Sequence, residues 1–208
     1  MKKKQITLAM TGASGAQYGL RLLEHLLQVE CEISLLISQP GQIVIGMETD
    51  MKLPGRSKEI ERFLAEYYQT NPGQLRVYGQ QHWTAPIASG SGVADAMVIC
   101  PCTTGTLAAV ATGQSRSLLE RAADVCLKEK KPLILVVRET PFSSIHLQNM
   151  LSLSQAGAVI MPANPGFYQH PQSIDDLVDF MVARVLDHLE IEHSLVPAWG
   201  TAGSVMDD

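Results

Sequence analysis

Short apolar runs alternate with stretches of helical spacing along almost the whole chain. Gln5–Met10 and Glu32–Ile37 predict strands, and between them Ala16–Gln28 repeats leucines at helical spacing and predicts an amphipathic helix. Residues 60–68 carry a second helical pattern, and Leu75–Tyr78 predicts a short strand. Residues 96–100 read as a buried strand, followed by a small-residue helix opening at Thr103-Thr104-Gly105-Thr106, and residues 118–130 read as a helix. The clearest strand is Leu133–Val137. Five branched aliphatics run without a polar residue, entered from Pro132, as in a strand buried on both faces of a parallel sheet. Ser144–Gln155 predicts a helix ended by Gly157, Val159-Ile160-Met161 a short strand, and residues 174–189 the last long helix. Repeated strand-then-helix order predicts an α/β fold, a three-layer doubly wound parallel sheet.

The chain has 208 residues, 46% of them hydrophobic and 18% charged. That is enough for one substantial core, read as a single domain over residues 1–190. From residue 191 the periodicity fades into a C-terminal tail, expected to pack on the domain or on a neighbouring subunit through Trp199. The formal net charge is −5 with no long block of either sign, which argues against a nucleic-acid surface. No apolar stretch reaches membrane-spanning length, and no signal-peptide apolar region follows the lysines at the start. Cys31, Cys100, Cys102 and Cys126 sit inside apolar patterns, as reduced core residues of a cytoplasmic protein do. Cys100-Pro101-Cys102 is too tight for a usual zinc pair and no matching pair follows, so no metal is expected.

Ligands of open α/β sheets bind beyond the carboxyl ends of the strands, so the turns there hold the candidate chemistry. Residues 11–16 give a glycine turn whose helix N-terminal amides suit a phosphate. Its spacing, Gly12-x-x-Gly15-x-x-x-Gly19, departs from the dinucleotide fingerprint, and the second strand ends at Ser38 with no acid for a ribose diol. The signal favours a mononucleotide over NAD. Ser38 can bond a ligand or cap a helix. Thr103–Thr106 offers hydroxyls at a helix start, and Ser89-Gly90-Ser91-Gly92 is a third donor-rich turn, free to wrap a phosphate or to be a mobile loop. Arg138 and Glu139 follow the buried strand, well placed for an anionic ligand or as a solvated loop pair.

The run RAADVCLKEKKPLILVVRETPFSSIHLQNMLSLSQAGAVIMPANPGFY, from Arg121 to Tyr168, together with TGASGAQYG at the start, closely resembles UbiX-type flavin prenyltransferases. The resemblance implies a flavodoxin-like Rossmann fold, a homododecamer, and transfer of a dimethylallyl group from dimethylallyl phosphate to N5 and C6 of reduced FMN. The product would be prenylated FMN for UbiD-type decarboxylases, as in ubiquinone biosynthesis. It further implies Gly12, Ala13, Ser14, Ser38, Thr103, Thr104, Gly105, Thr106 and Arg138 as FMN-binding positions. Tyr168 and Arg184 match ligands of the dimethylallyl phosphate, with Ser89, Gly90, Arg121, Lys128 and Glu139 around the same phosphate. Trp83 and Trp199 match aromatics near the prenyl chain, and Glu48 an acid near the flavin. Ser117 departs from the pattern, standing before Leu118 where relatives commonly carry Asn.

Physical chemistry agrees with that assignment. Fixed cations such as Lys128, Arg121, Arg184 and Arg138 ease ionisation of an allylic phosphate by stabilising the leaving group. Aromatic faces shelter an allylic cation, and a carboxylate beside the phosphate relays protons. That role falls to Glu139, with Glu48 and Ser14 as further candidates and Lys128 and Trp199 as catalytic partners. Asp175-Asp176-Leu177-Val178-Asp179 spells the acidic pattern of magnesium-dependent prenyl diphosphate enzymes, but Ser173 before it suits a helix cap and first-turn acids suit the helix dipole. Two other readings remain at this level. One is an FMN-dependent oxidative decarboxylase of cysteine substrates, for which His82 is a weak stand-in for the catalytic His. The other is a flavin carrier.

Overall fold

The computed structural model describes residues 3–197, so Trp199 lies outside the described residues. The chain forms two compact units, Met1–Ala163 and Asn164–Asp208. The first holds six strands: β1 (Gln5–Met10), β2 (Glu32–Ile37), β3 (Leu75–Tyr78), β4 (Ala96–Cys102), β5 (Leu133–Val137) and β6 (Val159–Pro162). All pair in parallel, in the order β3-β2-β1-β4-β5-β6. Helices α1 (Ala16–Gln28), α2 (Gln39–Glu48), α3 (Ser57–Tyr67), α4 (Thr104–Ala111), α5 (Leu118–Lys128) and α6 (Ser144–Gln155) fill the crossovers. Crossovers between parallel strands are right-handed as a rule, and with this strand order that puts helices on both faces, the three-layer doubly wound sheet that the strand-helix alternation predicts.

The core follows the apolar runs. Every residue of β4 and β5 is buried, as is all of β1 except Gln5. Burial of each large aliphatic contributes roughly 1.5–3 kcal/mol relative to exposure. Helix α2 was not legible in the pattern. Pro40, Gly41 and Gly46 are poor helix formers and Ile43 and Met47 are exposed, so neither propensity nor amphipathicity marks it. What starts it is Ser38, whose hydroxyl accepts the Gly41 amide at 3.0 Å. Strand β4 runs two residues past Cys100, with a register shift between Ile99 and Cys102 where Pro101 has no N–H for the ladder. Helix α5 stops at Lys128, two residues short of the predicted end, because Lys130 turns left-handed at φ 54°. Ser117 caps this helix, accepting the Glu120 amide at 3.3 Å. All four cysteines are free and buried, and burial pushes each thiol up.

The second unit contains α7 (Ile174–His188). Its start is a reciprocal cap: Ser173 Oγ accepts the Asp176 amide at 3.2 Å, and Asp176 Oδ2 accepts the amides of Ser173 and Gln172 at 3.0 and 2.7 Å. Those amide bonds hold the Asp176 carboxyl below the usual range. Here Asp176 is a cap. We expect chelation by EDTA to leave turnover intact and Asp176→Asn to leave it near normal, while Ser173→Ala loses about 1 kcal/mol of stability. Activity that vanishes with EDTA and returns with magnesium would contradict this. In the same unit Tyr168 meets Phe180 edge to face at 5.6 Å, and Gln169 Nε2 donates to the Pro197 carbonyl at 3.1 Å.

Candidate active site

Strand order reverses between β1 and β4, and the turns after them flank that switch point at the carboxyl edge of the sheet. Thr11, buried and absent from the sequence-level candidates, ties the two turns together. Its hydroxyl donates to the Pro101 carbonyl at 2.8 Å and accepts the Thr103 amide at 2.8 Å. Thr103 then caps α4, accepting the Thr106 amide at 3.1 Å and meeting the Thr106 hydroxyl at 2.9 Å. Thr11, Thr103 and Thr106 are thereby linked at the two turns, and Arg138 and Glu139 follow β5 at the same edge. Ser38, by contrast, spends its oxygen on the α2 cap.

Glu48, at the end of α2, reaches the start of α1. Its Oε2 accepts the amides of Gly15 and Ala16 at 2.8 and 2.9 Å, an approach that Gly15 permits by adopting φ 105°. The anion at these two amides is therefore the chain's own carboxylate, a correction to the phosphate expected at the α1 start. Burial pushes the Glu48 carboxyl up, but the Ser14 hydroxyl, the two amides and the Arg138 charge together outweigh it and hold it low. Glu48 is thus ionised at neutral pH. Its cap is fully present above the ordinary carboxylate pKa of about 4.3 and is lost as pH falls through the lowered value. Ser14, donating to Glu48, is left with lone pairs for a ligand. Arg138 Nε is buried with no hydrogen-bond partner among the described residues, as expected where a polar ligand completes the site. Glu139 Oε1 accepts the Thr140 amide at 3.1 Å, while its Oε2 stands 3.5 Å from the Thr104 hydroxyl.

The remaining candidates of the first unit lie elsewhere. Lys128 precedes β5 and Glu139 follows it, so the two sit at opposite edges of the sheet, separated by a strand of roughly 17 Å. Lys128 and Glu129 bond each other over Gly90, near the amino edge where Gly92 and Ala94 approach Gln5 and Glu32. Arg121 lies two turns earlier on α5; its Nε donates to the Ala88 carbonyl at 3.0 Å and it pairs with Asp124 at 2.7 Å. Ser89 and Ser91 face each other at 3.3 Å in the same turn. One chain therefore gathers Ser14, Glu48, Arg138, Glu139 and Thr103–Thr106, and separately Ser89, Gly90, Arg121 and Lys128. Trp83 is half-exposed on the loop between β3 and β4, next to His82, whose ring meets Tyr78 edge-on at 5.4 Å. In the second unit Arg184 pairs with Asp187 at 2.5 Å, and Asp187 also bonds His193 at 2.9 Å.

The Flavoprotein family model matches residues 1–186. Over 205 residues the chain is 60% identical to a flavin prenyltransferase UbiX of Pseudomonas aeruginosa, covering 99% of this chain and 98% of the relative. This chain belongs to the UbiX-type flavin prenyltransferases. The crystal structure of AnUbiX (PadA1) in complex with FMN and dimethylallyl pyrophosphate superposes with a TM-score of 0.84 at 39% identity, covering 95% of this chain and 98% of that one. A dodecameric FMN-dependent UbiX-like decarboxylase from Escherichia coli gives 0.81 at 38% identity, covering 94% and 98%. For a UbiX-type chain the carboxyl-edge cluster fits a flavin: a buried Arg138 Nε without a partner among the described residues, hydroxyls at a helix start, and no acid after β2.

Proposed function

We propose that this chain transfers the dimethylallyl group of dimethylallyl phosphate to N5 and C6 of reduced FMN. The observation that carries this is the carboxyl-edge cluster, with its unpartnered Arg138 Nε, in a chain 60% identical to a flavin prenyltransferase. Arg138, Thr103–Thr106, Ser38 and the Gly12–Ser14 turn hold FMN; when bound, its reduced ring supplies the nucleophilic positions. Lys128, Arg121, Ser89 and Gly90, with Tyr168 and Arg184, hold the phosphate and stabilise it as it leaves. Glu139 moves the proton. Ionised Glu48 fixes the Ser14 hydroxyl and keeps a negative charge beside Arg138.

Because Lys128 and Glu139 lie at opposite edges of one sheet, the reading requires that a second copy bring its Lys128 to the first copy's Glu139. The dodecameric relative at 38% identity supports such an assembly. No described helix is long and apolar enough to cross a membrane, and buried free thiols suit a cytoplasmic enzyme. The product's user is a UbiD-type decarboxylase.

Cofactor choice is tested directly. Purified protein should retain FMN and show no preference for NAD, and inorganic phosphate release from dimethylallyl phosphate should require reduced FMN. Tight NAD binding with no FMN retained would refute the reading.

A further inference from the structure

Lys128 and Glu129 are adjacent, and adjacent helical residues do not face each other. Here they converge. Lys128 is the last residue of α5 and Glu129 its cap, at φ −87° and ψ 3°, just before Lys130 turns left-handed. Both side chains come together on Gly90. A Cβ there would lie 2.1 Å from Glu129 Oε1 and 3.0 Å from Lys128 Nζ, so the pair as placed lies directly against the glycine backbone. The pair thus stands over the Ser89–Gly92 turn, where phosphate binding is proposed. Arg121, the other cation of this group, is fixed twice, by the Ala88 carbonyl and by Asp124. Among the described residues Lys128 pairs with Glu129, and both side chains remain substantially exposed.

We propose that Glu129 is a resting counter-ion for Lys128: it positions the ammonium over Gly90 between turnovers, yields it to the incoming phosphate, and reclaims it to expel inorganic phosphate. This rests on the reading of Lys128 as a phosphate ligand. Two anions compete for one ammonium, so removing the charge of Glu129 frees Lys128 and lifts a like-charge repulsion with phosphate. Nothing in the helix cap needs that charge, because the Glu129 contribution to the cap is its backbone amide, bonded to the Val125 carbonyl.

The test is titration of FMN-loaded protein with inorganic phosphate, alongside steady-state kinetics. Glu129→Gln should bind phosphate about three- to ten-fold more tightly, the scale of one partly exposed charge pair. It should lower KM for dimethylallyl phosphate similarly, with kcat unchanged or reduced as product leaves more slowly. Lys128→Ala should weaken phosphate binding, and Glu129→Gln should gain less in the Lys128→Ala background, where only the like-charge repulsion remains to be lifted. Unchanged or weaker phosphate binding by Glu129→Gln, with Lys128→Ala weakened as expected, overturns the counter-ion role alone. Unaltered phosphate binding by Lys128→Ala overturns both the phosphate-site reading and this one. A merely structural Glu129 would lower thermal stability and leave the phosphate affinity and the KM-to-kcat split where they are.

Discussion

Replacing Glu139 with Gln should slow a single turnover on reduced FMN by about 10²–10⁴-fold, the usual contribution of a positioned proton-transfer group, while leaving FMN bound. The substitution preserves shape. A Gln amide oxygen still accepts the Thr140 amide, and its nitrogen donates to the Thr104 hydroxyl in place of the bond that hydroxyl donates to Glu139. What is lost is the carboxylate charge and the capacity to take up and release a proton. A structural role predicts the reverse: lower stability, weaker FMN binding and near-normal chemistry in whatever folds. Formation of the closed adduct by Glu139→Gln at an unchanged rate would move the proton transfer to the Ser14–Glu48 pair, which is already coupled to Arg138.

Lys128→Ala and Arg184→Ala should each abolish most prenylation while FMN remains bound. Taking one cation from a desolvated phosphate site costs about 2–5 kcal/mol, or roughly 30- to 5000-fold in rate. FMN retention is expected because neither residue is among those proposed to hold FMN: Arg138, Thr103–Thr106, Ser38 and the Gly12–Ser14 turn. The separation of Lys128 from Glu139 in one chain makes a sharper forecast. Oligomers reassembled from Lys128→Ala and Glu139→Gln chains should recover part of the activity both parents lack, since some sites then combine an intact Lys128 with an intact Glu139. Mixed oligomers as inactive as their parents would show that the two residues do not meet across copies.

The strands were legible because buried parallel strands are continuous apolar runs, and Leu133–Val137 is the plainest of them. The long helices were legible from their leucine spacing. Helix α2 was not, because its information lies in a cap and in a tertiary contact. Ser38 starts it, and Glu48 at its end closes the start of α1 from 33 residues away. The same distance hid the occupant of the α1 amides: a glycine turn reads alike whether its anion is a phosphate or the chain's own carboxylate. Thr11 opens the glycine turn in the sequence but shows no role of its own there, because a lone Thr after a strand carries no periodic signal, though it joins two turns 90 residues apart in sequence. The family resemblance named Lys128 and Glu139 as neighbours of one phosphate, and only the sheet topology reveals that one chain holds them apart.

The most direct test of the account is anaerobic incubation of the protein with reduced FMN and dimethylallyl phosphate, followed by mass analysis of the released flavin. The expected product is a flavin heavier than FMN by one dimethylallyl group, together with stoichiometric inorganic phosphate. Recovery of unmodified FMN alone, with the dimethylallyl phosphate intact, would contradict it.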